Sequence, residues 1–158
     1  MTVPASTLIV AAQLEDAPAL LALQRIAFEP EARACQEWDI PPLQETLEGV
    51  LEHIRMASVL KAVDGDRLLG AIRGIVSGDT CLIRVLAVAP EAQGRGLGAR
   101  LLRAIEDAHP QVARFELTTN LIMPGNVRFY LRHGYEMVEQ LQHSAAIRLA
   151  FMRKIARR

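Results

Sequence analysis

Three glycines spaced two apart, Gly94, Gly96 and Gly98, lie where an apolar strand gives way to an amphipathic helix. The run is Val85-Leu-Ala-Val-Ala-Pro-Glu-Ala-Gln-Gly-Arg-Gly-Leu-Gly-Ala-Arg-Leu-Leu102. Glycine strips side chains from the first turn of that helix, where the backbone N–H groups have no intrahelical acceptor. Those donors and the positive end of the helix dipole suit an anion such as a pyrophosphate. Downstream, Asn126 and Tyr130 stand four residues apart in Asn-Val-Arg-Phe-Tyr-Leu-Arg-His-Gly-Tyr-Glu, so they share one helical face. An amide and a phenol are thereby aimed at one place.

The spacing narrows the ligand. A Walker loop needs Gly-Lys-Ser/Thr, and here Gly98 is followed by Ala99-Arg100. The dinucleotide fingerprint Gly-x-Gly-x-x-Gly meets Ala99 at its last position when counted from Gly94, and Leu101 when counted from Gly96. The pattern that fits is Gln/Arg-x-x-Gly-x-Gly/Ala, supplied by Gln93, Gly96 and Gly98. With the preceding Leu-Ala-Val-x-Pro-Glu strand end, this segment resembles the acetyl-coenzyme A loop of the GNAT superfamily of N-acetyltransferases. The segment from Asn126 to Glu136 is similar to a second GNAT signature, Asn-x-x-x-x-Tyr-x-x-x-Gly-Phe/Tyr, with three residues instead of four between Asn126 and Tyr130. The resemblance runs roughly from Leu8 to Lys154, with the specific motifs confined to 85–102 and 126–136.

The resemblance implies a site. Acetyl-CoA would be the cofactor, its pyrophosphate held by the turn Gln93, Gly94, Arg95, Gly96, Leu97, Gly98 and Ala99. Its pantetheine arm would pair with the backbone of Leu86, Ala87 and Val88, and the Val88 N–H would polarise the thioester carbonyl. Tyr130 would be the general acid that protonates the departing sulfur. Asn126 would bond the cofactor, cap its helix, or do both. The acceptor would be a primary amine of a small molecule or peptide. Its attack would be direct, because neither motif holds a Cys or Ser. Many relatives carry a Glu or His in the strand before the loop, but residues 80–88 hold neither. The base is then Glu116 on the far side of the cleft, or a water chain. A catalytically silent CoA-binding sensor and a nucleotide-binding domain are the rival readings.

Other residues bear on the acceptor. Arg73 and Arg84 interrupt apolar strands, which a substrate carboxylate or phosphate would explain, as would a structural ion pair or an exposed sheet face. Trp38 lies among Glu29, Glu31, Glu37 and Asp39, a setting suited to a cationic amine and equally to a solvated loop.

These side chains need a scaffold. The chain is read as one domain over 1–158, of mixed α/β class. Strands are expected at 7–11, 58–63, 67–76, 80–88, 113–119, 135–140 and 145–153. Helices are expected from Asp16 as cap, with Pro18 in the first turn, and at 43–56, 95–108 and 126–133. Residues 29–42 read as irregular, ending in the Pro41-Pro42 pair. The resemblance implies the GNAT fold, a splayed mixed sheet of about six to seven strands flanked by four helices. It also implies a homodimer.

Composition sets further bounds. Hydrophobic residues make up 51% and aromatics 4%, so the core is aliphatic. Eighteen basic and eighteen acidic residues cancel, which argues against a nucleic-acid partner, and the basic run 153–158 reads as a solvated end. Cys35 and Cys81 make no disulfide framework, and the four histidines share no metal spacing. No leader or membrane span is read, so a cytoplasmic protein is expected.

Overall fold

The computed structural model describes residue 4 and residues 6–156. Strand β1 (Leu8–Ala11) leads through a 3₁₀ turn at Leu14–Asp16 into α1 (Ala17–Cys35), α2 (Pro41–Gln44) and α3 (Leu47–Met56). Strands β2 (Ser58–Asp64), β3 (Arg67–Ser77) and β4 (Thr80–Val88) follow, then a 3₁₀ turn at Pro90–Ala92 and α4 (Leu97–Asp107). The chain continues through β5 (Arg114–Asn120), α5 (Pro124–Arg132), β6 (Glu136–Gln142) and β7 (Arg148–Ile155). The strands form one sheet in the order β1-β2-β3-β4-β5-β7-β6, antiparallel except for the parallel pair β4–β5.

Alternation along β3 assigns the helices to faces. A Cβ on Gly70 would lie 2.8 Å from Leu101 and one on Gly74 3.0 Å from Ile105, so α4 presses on that side. Leu97, Leu101, Leu102 and Ile105 are all buried there. Arg73, offset by one, reaches Gln24 on α1 and His53 on α3, which places those helices on the opposite face.

Several boundaries differ from those the sequence suggests. α1 does not stop before residues 29–42. It carries Pro30 inside and runs to Cys35. Pro30 costs one backbone hydrogen bond, but the turns beyond it bury Ala32 and Cys35 against Ile40 and Ile147. Pro41 begins a helix, because proline at the first position gives up only an N–H that has no partner there. The expected helix at 43–56 is two: Glu45 is extended, and the Thr46 hydroxyl accepts from the Gly49 N–H at 3.1 Å to start α3. Hence five α-helices stand among the described residues where four are expected. Asp16 does stand at the cap position, yet its carboxylate accepts from the Gln13 N–H at 2.7 Å and from Lys61 at 2.9 Å. Residues 153–155 of the basic run belong to β7, and Arg157 and Arg158 lie outside the described residues.

Candidate active site

The strand before the glycine turn is bent by a bulge. Arg73 of β3 pairs with Arg84, and Ala71 pairs with Ala87, so Val85 and Leu86 together oppose Ile72. Val85 takes φ +49°, an uncommon conformation for a β-branched residue. Just before the bulge, β4 and β5 separate. They pair only from Thr80/Arg114 to Leu82/Glu116, leaving residues 83–88 and 117–120 on the two sides of a gap.

Val88 faces that gap with a free donor. Ala89 donates to the Leu69 carbonyl at 2.8 Å, so in the antiparallel alternation the Val88–Gly70 pair turns its N–H and C=O away from β3. Gln93 Nε2 satisfies the Val88 carbonyl at 3.0 Å. The same contact ties the glycine turn to the strand end.

The turn itself is open. Gly94 and Gly96 adopt φ +75° and +84°, and a Cβ on either would meet no atom within 4 Å. Gly96 is the N-cap of α4, and Arg100 N–H closes the first helical bond onto its carbonyl at 3.2 Å. The N–H groups of Leu97, Gly98 and Ala99 therefore lack intrahelical acceptors and point outward. An anion fits here, at the mouth of the gap.

The far wall comes from α5. Pro124, not Asn126, opens this helix, so Asn126 is in its first turn and is not the cap. The other end is a Schellman motif: Gly134 at φ +91° donates to Leu131 at 3.3 Å, and Tyr135 donates to Tyr130 at 3.0 Å. Tyr130 is held edge-on by Phe129 and Tyr135, with ring centroids 5.1 and 5.7 Å away. Its hydroxyl makes no hydrogen bond among the described residues. Burial, followed by the nearby Glu31 carboxyl, pushes the phenol up to about 12, so it keeps its proton at neutral pH.

Between these walls lies a cavity of about 440 Å³, lined by Asn126 and Tyr130, by Arg84 to Leu86, and by residues of α1, α2, α3 and β5.

The sequence profile of the acetyltransferase (GNAT) domain matches residues 28–156. The chain belongs to the GNAT acetyltransferase family. Solved structures show the same fold around these GNAT elements. PaiA N-acetyltransferase from Thermoplasma acidophilum, in complex with coenzyme A, superposes with TM-score 0.80 at 16% identity, over 95% of this chain and 99% of that one. The ribosomal-protein-S18-alanine N-acetyltransferase from Escherichia coli gives 0.78 at 16% identity, over 96% of each chain. YncA from Salmonella typhimurium, with its cofactor acetyl-CoA, gives 0.77 at 16% identity, over 96% and 95%. No match is found among curated proteins.

The GNAT cleft does not gather every residue singled out in the sequence. Glu116 lies outside the cavity, its carboxylate bonded to Arg153 at 2.7 Å, which is the cross-strand partner on β7. This placement withdraws it as the base. Trp38 is 53% exposed and also lies outside the cavity. Arg84 lines the cavity with no ion pair among the described residues. Arg73 lines it too, but its guanidinium is already engaged.

The Arg73 network was not legible from spacing. Its two terminal nitrogens reach both Glu45 oxygens at 2.8 and 2.9 Å, Gln24 at 3.1 Å and His53 Nδ1 at 2.9 Å. Burial pushes the Glu45 carboxyl up, but Arg73's hydrogen bonds and charge, with a smaller contribution from His53, outweigh it and hold the group below the ordinary glutamate value. Arg73→Leu strands that buried carboxylate, so denaturant unfolding should show a loss of about 3–5 kcal/mol at neutral pH. The pair's stabilisation is complete above the unfolded value of about 4.3 and fades as pH falls through the lower folded value. In Arg73→Leu that acid-side loss should disappear.

Proposed function

We propose that this GNAT domain moves an acetyl group from acetyl-CoA to a primary amine by direct attack, with Tyr130 as the proton donor to the departing thiol. The observation that carries the reading is the open glycine turn at the start of α4, at the mouth of the β4–β5 gap, with the Tyr130 hydroxyl unengaged across it. The coenzyme A and acetyl-CoA complexes of structurally similar proteins agree with it.

Acetyl-CoA, when bound, supplies an activated thioester. The N–H groups of residues 97–99 and the α4 dipole hold its pyrophosphate. The turned-out Val88 N–H donates into the gap and orients the thioester. Tyr130, protonated across the working pH range, donates to the sulfur as charge develops there. No cysteine or serine lines the cavity among the described residues, in keeping with the absence of an acyl-enzyme. Arg84 is a free cation on the acceptor side and would receive an anionic group of the acceptor.

Calorimetric titration with acetyl-CoA, repeated with ATP and NAD, tests the cofactor. Saturable binding of acetyl-CoA that the nucleotides fail to displace is expected, followed by free thiol release when a primary amine is added. Preference for ATP or NAD overturns the assignment, and binding without thiol release on any primary amine overturns the transferase reading.

A further inference from the structure

The cavity contains a carboxylate that nothing neutralises. Two glutamates line it. Glu45 is held by Arg73 through both oxygens. Glu31 has neither an ion pair nor a hydrogen bond among the described residues. It belongs to the face of α1 that also brings Gln24 and Phe28 to the cavity, at spacings of four and three.

The other groups that could take a proton are each disqualified. His53 spends Nδ1 on Arg73 and lies 3.6 Å from the Glu45 carboxylate, within that ion-paired cluster. His143 is on the exposed rim. Tyr130 is committed to the opposite role, and Arg84 is permanently charged.

A second feature points to the same place. Asn120, 3% exposed at the end of β5, fixes its amide by accepting from the Ile122 N–H at 3.1 Å through Oδ1. Its Nδ2 has no hydrogen-bond partner, although the residue lines the cavity. A buried donor without a partner costs about 1–3 kcal/mol, and a negative oxygen brought into this pocket would remove that cost. The amide lies close enough to Glu31 to favour its ionised form, although no direct hydrogen bond joins the two.

From this arrangement we infer that Glu31, steadied by the Asn120 amide, seats the ammonium of the acceptor and takes its proton. The inference rests on the acetyltransferase reading. One N–H bond of the ammonium breaks, an O–H bond forms on Glu31, and the nitrogen keeps the electron pair. That pair forms the bond to the acetyl carbon as the carbon–sulfur bond breaks, and the sulfur takes the Tyr130 proton. The nitrogen then returns its surplus proton to the Tyr130 oxygen, and Glu31 releases its own to solvent.

Two physical consequences support the pairing. Burial holds the Glu31 carboxyl above the ordinary glutamate value, only partly offset by Asn120, which makes it a stronger proton acceptor than an exposed glutamate. The Glu31 charge in turn raises the Tyr130 phenol. Protonating Glu31 removes that influence, so taking the amine's proton readies Tyr130 to give up its own.

The test compares wild type, Glu31→Gln and Glu31→Asp by thiol release from acetyl-CoA with spermidine, lysine and a short peptide bearing a free N-terminus. Calorimetry monitors acetyl-CoA affinity alongside. In wild type, kcat/KM for the amine should plateau between the Glu31 ionisation and the amine's own pKa, because the ammonium form binds productively. Glu31→Gln should lower kcat/KM about a hundredfold at neutral pH. Its profile should then rise about tenfold per pH unit up to the amine's pKa, since only neutral amine reacts. Acetyl-CoA affinity should be unchanged, and Glu31→Asp should restore part of the plateau. An ultraviolet phenol titration should show the Tyr130 midpoint falling in Glu31→Gln.

A Glu31→Gln enzyme with the wild-type plateau overturns the inference and leaves the acetyltransferase reading standing. Wild type that binds acetyl-CoA but releases no thiol with any of the amines overturns both.

Discussion

Tyr130→Phe should lower kcat by about a hundred- to ten-thousandfold, the range a positioned general acid contributes, while acetyl-CoA affinity and thermal stability stay near wild type. The hydroxyl has no partner among the described residues, so its loss breaks no internal hydrogen bond. The ring contacts to Phe129 and Tyr135 survive the substitution. Pre-steady-state kinetics should locate the defect in carbon–sulfur cleavage. A thioester whose thiol has a much lower pKa needs less help from an acid, so an activated acetyl thioester analogue should recover much of the rate. Equal losses with both thioesters would assign Tyr130 a packing role.

Gly96→Glu is the complementary experiment, directed at binding instead of chemistry. A glutamate there places its carboxylate at the first turn of α4, where it competes for the N–H groups of residues 97–99 and for the helix dipole. Losing two charge-assisted hydrogen bonds, at about 1.5–3 kcal/mol each, weakens acetyl-CoA by roughly two to four decades in Kd. Gly96→Ala is the control. Its Cβ meets nothing within 4 Å, so it carries only the cost of φ +84° for an L residue, about 1–2 kcal/mol. Alanine should therefore lower stability slightly and leave most binding intact. If both variants bind like wild type, the anion is held elsewhere.

How far the sequence predicts this site depends on how local each interaction is. The glycine turn, the helix it opens and the Asn126–Tyr130 pair are short-range features, and each appears in the structure within a residue or two of its expected position. Even here local reasoning has limits. Asn126 reads as a cap because asparagine favours caps, yet Pro124 at the first helical position starts α5 two residues earlier. The acceptor side depends on contacts across long stretches of chain. Glu116 and Glu31 look alike in the sequence, but pairing with β7 commits Glu116 to Arg153, while α1 turns Glu31 into the cavity.

The end of α1 is the clearest case. Read as irregular, residues 29–42 leave Glu31 in a loop beside Trp38. Carried through, as burial of Ala32 and Cys35 dictates, the helix aligns Gln24, Phe28 and Glu31 on one face. The spacing is written in the sequence; the tertiary packing that outweighs the backbone bond lost at Pro30 is not. The Arg73–Glu45–His53 cluster is harder still, since it joins β3, the α2–α3 junction and α3 through buried charges that no periodicity encodes.

The most direct check on the central claim is to follow the acetyl group itself. Wild-type protein is mixed with acetyl-CoA labelled in its acetyl carbons and with the primary amine that releases most thiol. The amine is then weighed by mass spectrometry while the thiol is counted. The account predicts one labelled N-acetyl amine for each thiol released, and no labelled protein. Thiol without acetylated amine would mean hydrolysis, a labelled protein would mean an acyl-enzyme, and either result contradicts direct transfer.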